Sequence, residues 1–350
     1  MKKAFILFFL FLAATVFACT GRADVSTTFY GYTWARYAVT ATGTTDSENE
    51  FLIPRCYIRL KTKVDEVAEA AVTFDLNNSE YAQSYIKTSD FNDTGNYTGS
   101  GPHKAADFII YLKYAYLDLK NIIPEAVIRF GIQKVYFGAI DKWEYPLPVK
   151  EIMDDNKLLS SADLGLGIDG NIPGGWGEYQ IGVYNGNGYK KMEDDPKKAV
   201  AASVMFVPLP GIWTRLSYYG DFKNDLQAKI DSQRVGVVAG FAFYPLEGHV
   251  QYSVPSDPST TPVKTGKALE VFAVSKIPST PLEVAFKYDN YVEDSTAAAA
   301  GSKDYAKVAG GMNWHVCENV KMQFAVENKT FVKAGTDAVM QGIVQAVFGW

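Results

Sequence analysis

From Arg55 to Lys63 every second residue is polar and most are cationic: Arg55, Tyr57, Arg59, Lys61 and Lys63, with Cys56, Ile58, Leu60 and Thr62 between them. A period of two is a strand with unlike faces. A row of four cations needs water, because each would cost roughly 2 to 4 kcal/mol against hydrocarbon near a bilayer midplane. Such a row can hold or attract anions along a hydrated wall. The pattern recurs with mixed sign. Glu69, Thr73 and Asp75 oppose Ala68, Ala70, Val72, Phe74 and Leu76; Arg129 and Gln133 oppose Ile128, Phe130 and Ile132. Further on, Glu283, Lys287 and Asp289 oppose Val284, Phe286 and Tyr288, and Lys321, Gln323, Glu327 and Lys329 oppose Met322, Phe324 and Val326. One such strand could be the solvated face of a soluble sheet, but five with the same division point to a hydrated lumen with an apolar exterior. The expected lumen-lining residues are Arg55, Arg59, Lys61, Lys63, Glu69, Asp75, Arg129, Glu283, Lys287, Lys321 and Glu327.

Other chemistry is sparse. The three histidines, His103, His249 and His315, lie far apart, and no nucleophile elbow, paired-histidine metal motif or phosphate-binding glycine loop accompanies them. No catalytic residue, metal site or cofactor is expected, which leaves an outer-membrane hydrolase the least favoured alternative. Cys19, Cys56 and Cys317 are too few for a disulfide framework. A net charge of −5 gives no reason to expect a nucleic-acid partner.

The elements that must carry these faces follow from alternation and turn residues. Sixteen strands are predicted, starting near Val25, Phe51, Val67, Asp107, Glu125, Ser161, Trp176 and Lys198, then Ile212, Gln233, His249, Lys267, Leu282, Asp304, Val320 and Ala338. Fourteen or eighteen strands also fit the pattern. Connections after even strands are tight, as at Pro173-Gly174-Gly175 and Tyr244-Pro245-Leu246-Glu247, while those after odd strands are long and polar, as at 41–50, 78–106 and 186–197. Short turns at one end and long loops at the other fit a transmembrane antiparallel up-and-down β-barrel, all-β, with an even count placing both termini in the periplasm. Residues 1–23 read as a secretory signal, Lys2 and Lys3 ahead of an apolar run, with cleavage after Ala18 or Ala23 or lipid attachment at Cys19. Past it no apolar window is long enough for a spanning helix, so 24–350 is expected to form one barrel domain facing outer-membrane lipid. The 22 Tyr, 21 Phe and 6 Trp would supply its aromatic girdles.

The connection 137–160 is unusual. It combines Trp143, Leu147, Ile152, Leu158 and Leu159 with Asp141, Lys142, Glu144, Lys150, Glu151, Asp154 and Asp155. A loop confined to solvent has no use for so many apolar anchors, so this third external loop is expected to fold inward and narrow the lumen; a surface cap or subunit contact is the alternative. Its acids would favour cations and the row at Arg55 to Lys63 anions, and the sequence leaves the balance open. The last strand sets Met340, Val344, Ala346, Phe348 and Trp350 on one face against Gln341, Ile343 and Gln345.

The terminal VFGW resembles the assembly signal of bacterial outer-membrane barrels, which implies recognition of Phe348 and Trp350 by the barrel-assembly machinery. The segments FLIPRCYIRLKTKVDEVAEAAVTFDLNN and DKWEYPLPVKEIMDDNKLLSSADLGLGIDGNIPGGWGEYQIGVYNGNGY, with that terminus, resemble the bacterial outer-membrane porin superfamily, most nearly the phosphate-selective porin O and P type. The resemblance implies a sixteen-stranded homotrimeric barrel in the cell outer membrane of a Gram-negative bacterium, passing ions and small hydrophilic solutes passively. That type's phosphate selectivity depends on dense basic side chains at its constriction. Here Arg55, Arg59, Lys61 and Lys63 are the only such run and the loop is acidic, so phosphate selectivity is not carried over. A structural or adhesive barrel acting through its external loops is the competing reading.

Overall fold

Alternating β-branched and aromatic residues broken by Gly, Pro and Asn leave the backbone little choice but strands and turns. A computed structural model describes residues 25–43, 46–77, 109–139, 147–191, 193, 196–222, 230–260, 263–296 and 303–350. The expected signal 1–23, with Cys19, lies outside the described residues, as do His103, Asp141, Lys142 and Glu144.

Sixteen strands cross the molecule. They are β1 (Ser26–Thr42), β2 (Asp46–Lys63), β3 (Ala68–Asn77), β4 (Ile109–Ile123), β5 (Ala126–Lys134), β6 (Ala162–Ile172), β7 (Gly177–Tyr184) and β8 (Lys198–Leu209). The second half comprises β9 (Ile212–Phe222), β10 (Ile230–Phe243), β11 (Leu246–Asp257), β12 (Lys267–Lys276), β13 (Leu282–Val292), β14 (Tyr305–Cys317), β15 (Val320–Phe331) and β16 (Val339–Gly349). Each pairs antiparallel with its sequence neighbours, and Lys264–Thr265 lengthens the β11–β12 hairpin by two residues.

The ring closes where β1 meets β16, from Tyr32 opposite Gly349 to Thr42 opposite Val339, so no edge is left unpaired. At the seam the Gly31 amide donates to the Trp350 carbonyl at 2.9 Å and the Trp350 amide to the Gly31 carbonyl at 3.1 Å. The Trp350 ring lies over Gly31, where a Cβ would sit 2.7 Å from it, and packs on Phe29 with centroids 5.2 Å apart. The first hairpin, β1 with β2, runs on to Thr42 and Asp46 through a stretch expected to be loop.

The outer surface carries the apolar set, with Leu216, Ile110 and Ile181 more than half exposed, as a lipid-facing band requires. Connections after even strands are a few residues long, while most of those after odd strands are longer. In β4 both faces are apolar, and the register shift opposite Thr73/Phe74 explains why. It turns the alternation over, so that the adjacent residues Lys113 and Tyr114 both point inward and are buried while Ile110 and Leu112 stay exposed.

Candidate functional site: the inner wall and the segment inside it

The described parts of the connection from β5 to β6, 135–139 and 147–161, lie inside the ring. Within it, Glu151 caps α1 (Ile152–Asp155), its Oε2 accepting from the amides of Met153 at 2.8 Å and Asp154 at 3.1 Å. Oε1 accepts from Gln251 Nε2 at 2.7 Å. Arg36 donates to the Pro148 carbonyl at 2.9 Å, Arg234 to the Leu158 carbonyl at 2.7 Å, and the Ile152 amide to Glu270 at 3.0 Å. Asn156 donates to the Tyr305 hydroxyl at 2.8 Å. These partners stand on β1, β10, β11, β12 and β14, and a short segment reaches strands so far apart round a closed ring only from within.

Apolar packing fixes the same placement. Ile152, Met153 and Leu159 are buried with Tyr184, Tyr219 and Tyr305, and Leu147 and Val149 with Phe272, Ala285, Ala309 and Ile343. Burying each such side chain is worth about 1.5 to 3 kcal/mol, ample to hold the segment against the wall.

Beneath the segment the charges alternate in a chain. His249 bonds Glu270 at 3.0 Å, Glu270 pairs with Lys287 at 2.8 Å, and Lys287 with Asp289 at 2.6 Å. Asp289 lies 3.2 Å from Lys307, which pairs with Asp155 of the segment at 2.8 Å. Burial pushes the Asp155 carboxyl up, but the neighbouring ammonium groups, Lys307 foremost with Lys329 and Lys150, together leave it below its ordinary value. Burial, reinforced by the nearby Glu270 charge, pushes the Glu151 carboxyl well above its ordinary value.

The opposite wall, β1 to β4, has another character. Along β2 the inward residues are four cations and the Tyr57 ring, and neighbouring strands add more rings. Arg55 lies 4.6 Å from the Trp34 ring and 5.1 Å from Tyr57; Arg59 lies 5.3 Å from Tyr57, 5.7 Å from Tyr32 and 5.8 Å from Tyr114. Lys113 sits 4.2 Å from the Tyr189 ring, and Lys190 5.1 Å from Tyr111.

The predicted residues thus divide into groups. Lys61 and Lys120 both pair with Glu69 at 2.8 Å. Asp75 accepts from the Tyr189 hydroxyl at 3.1 Å. Arg129 grips Asp118 through two bonds, at 2.6 and 2.8 Å, and reaches Asp169 at 3.1 Å. Glu283 pairs with His315 at 3.1 Å, and with Lys321 they line a cavity of about 500 Å³ at the tight-turn end. Lys63 and Lys150 are exposed, and Arg59, Glu327 and Asp154 half-buried. Lys287 faces inward and is 3% exposed, because the inserted segment covers that part of the wall and Glu270 and Asp289 accept its hydrogen bonds.

Gln251, Glu270, His249 and Lys307 escaped the sequence reading. In β12 the inward Ala268, Phe272 and Val274 are as apolar as the outward residues, so Glu270 has no polar face to announce it. The cysteines Cys56 and Cys317 are free, and among the described residues no group of three or more His, Cys, Asp or Glu could hold a metal ion.

A closed sixteen-strand antiparallel ring with an apolar exterior, a charged interior and an inserted segment is the fold of a porin-type β-barrel. Solved structures with this fold include a loop-deletion mutant of OmpT, an outer membrane protein of Vibrio cholerae, at TM-score 0.64 and 11% identity over 93% of this chain and 99% of that one. Pseudomonas putida OprB matches at TM-score 0.64 and 12% identity over 93% and 94% of the two chains. An anion-selective porin from Comamonas acidovorans matches at TM-score 0.59 and 11% identity over 93% and 100%. No family model and no curated protein sequence matches the chain, so the likeness is one of fold.

Proposed function

We propose that the chain forms a water-filled passage through the outer membrane for passive diffusion of ions and small hydrophilic solutes, narrowed by the segment around residues 147–159. The observation that carries this reading is the union of an apolar outer band with that segment bonded to inward side chains from β1 to β14. The segment packs against the wall from β7 round to β16, so in this reading solutes pass on the side of Arg55, Arg59, Lys61 and Lys63, with Glu69, Asp75, Arg129, Glu283, Lys321 and Glu327 also lining the lumen. Lys150, within the same segment, belongs to that constriction. In this reading residues 1–23 direct export, Phe348 and Trp350 present the closing strand to the assembly machinery, and three chains associate in lipid. No step of bond chemistry is involved.

Liposome swelling tests the reading. Vesicles carrying the folded protein should swell in isotonic arabinose faster than in a trisaccharide of the same osmolarity. Equal rates with protein-free vesicles would contradict it.

A further inference from the structure

The rings set among cations on β1 to β4 ask for a particular solute, and the inference rests on the channel reading above. Inward positions on β2 face inward positions on β1 in register: Arg55 opposite Trp34, Tyr57 opposite Tyr32, Arg59 opposite Tyr30 and Lys61 opposite Thr28. On the other side, β3 gives Thr73 opposite Arg59 and Ala71 opposite Lys61, and behind these small residues stand Tyr114 and Tyr116 of β4. Small side chains on β3 let rings from β4 lean toward the β2 cations, as the 5.8 Å from Arg59 to Tyr114 records.

The track changes in accessibility along its length. Trp34 and Tyr57 at the upper end are each 1% exposed, whereas Tyr30 is 37% exposed and the Lys61 side chain 46%. Arg59 and Tyr116 are half-buried between them. The accessible rungs therefore lie toward the tight-turn end and offer ring faces beside fixed positive charge.

We propose that this stretch, Tyr30, Tyr32, Arg59, Lys61 and Tyr116, is a binding track for small organic anions that carry a planar ring. A ring stacks on tyrosine faces and its carboxylate meets the Arg59 guanidinium, a charge-assisted bond of the stronger kind. An inorganic anion uses only the charge, a neutral ring only the faces, and a cation is repelled by Arg59 and Lys61. Lys61 contributes although it pairs with Glu69, because Lys120 pairs with the same carboxylate and the cluster of three keeps a positive charge.

The test is single-channel recording in potassium chloride with benzoate, acetate or phosphate added. Benzoate should interrupt the chloride current at about one tenth of the concentration that acetate or phosphate requires, the factor one added aromatic pair supplies near its upper end. Tyr30→Leu should bring the benzoate value to that of acetate, and Arg59→Gln should weaken block by both. Equal block by benzoate and acetate, or by benzoate and phosphate, with chloride steps intact overturns the track and leaves the channel reading standing. Absence of chloride steps fails the channel reading instead. Calorimetric titration of detergent-folded protein with benzoate then decides the track alone: heat that Tyr30→Leu abolishes supports it, and heat unchanged by Tyr30→Leu, or none, overturns it.

Discussion

Gln251 Nε2 meets Glu151 Oε1 at 2.7 Å across 100 residues of sequence, tying the inserted segment to β11. Gln251 also accepts from the Ala139 amide at 2.6 Å, so one side chain holds the β5–β6 connection at two points. Gln251→Leu should leave Glu151 and the Ala139 amide short of partners in a buried place, a cost of about 1 to 3 kcal/mol for each. The expected result is a larger and noisier single-channel current, and a lower midpoint in the heat-dependent gel shift of the barrel.

The two carboxyls of the segment respond to pH in opposite directions. Asp155 is held below its ordinary 3.8, since Lys307 with Lys329 and Lys150 outweighs burial, so its contribution is complete above that value and lost as pH falls through the lowered one. Glu151 is raised well above 4.5 by burial next to Glu270, so its contribution is complete below 4.5 and lost as pH rises through the raised value. Hydrogen exchange at the 152–156 amides, corrected for intrinsic rates, should increase on both limbs. Glu151→Gln should flatten the alkaline limb and Lys307→Met the acid one.

Arg215 and Leu216 are neighbours in β9 with opposite surroundings. Arg215 is buried inside and pairs with Glu178 at 2.7 Å, while Leu216 is 63% exposed on the outer face. Leu216→Arg should cost about 2 to 4 kcal/mol in lipid, read as a shift in the denaturant midpoint of refolding into vesicles. A surface-neutral result would place β9 away from hydrocarbon.

At the seam, Trp350→Ala removes the ring over Gly31 and Phe29 but keeps both backbone bonds. The folded barrel should persist once formed while its yield in the outer membrane falls several-fold, and Trp350→Phe should restore the yield. Quantifying heat-modifiable protein in membrane fractions checks this.

Much of the ring was legible because period two is a local signal and charge cannot face lipid: Arg59, Glu69 and Lys321 reveal their faces through their immediate neighbours. The β4 faces were not, since a bulge reverses the alternation between Lys113 and Tyr114 without leaving a turn residue behind. In the buried chain from His249 to Asp155, Lys287, Asp289 and Asp155 were legible as polar positions, but Glu270 was not, because β12 is apolar on both faces around it. The pairing of Lys307 with Asp155 spans 152 residues with no local trace. Tyr30, Tyr32 and Trp34 likewise read as ordinary strand aromatics until the register set them beside Arg59 and Arg55.

Single-channel recording of the purified barrel in a planar bilayer under a salt gradient decides whether the barrel conducts. Discrete open steps of fixed size are expected, with a reversal potential that Arg59→Glu moves toward cation preference. Well-folded, heat-modifiable protein that inserts without conducting would contradict the channel reading.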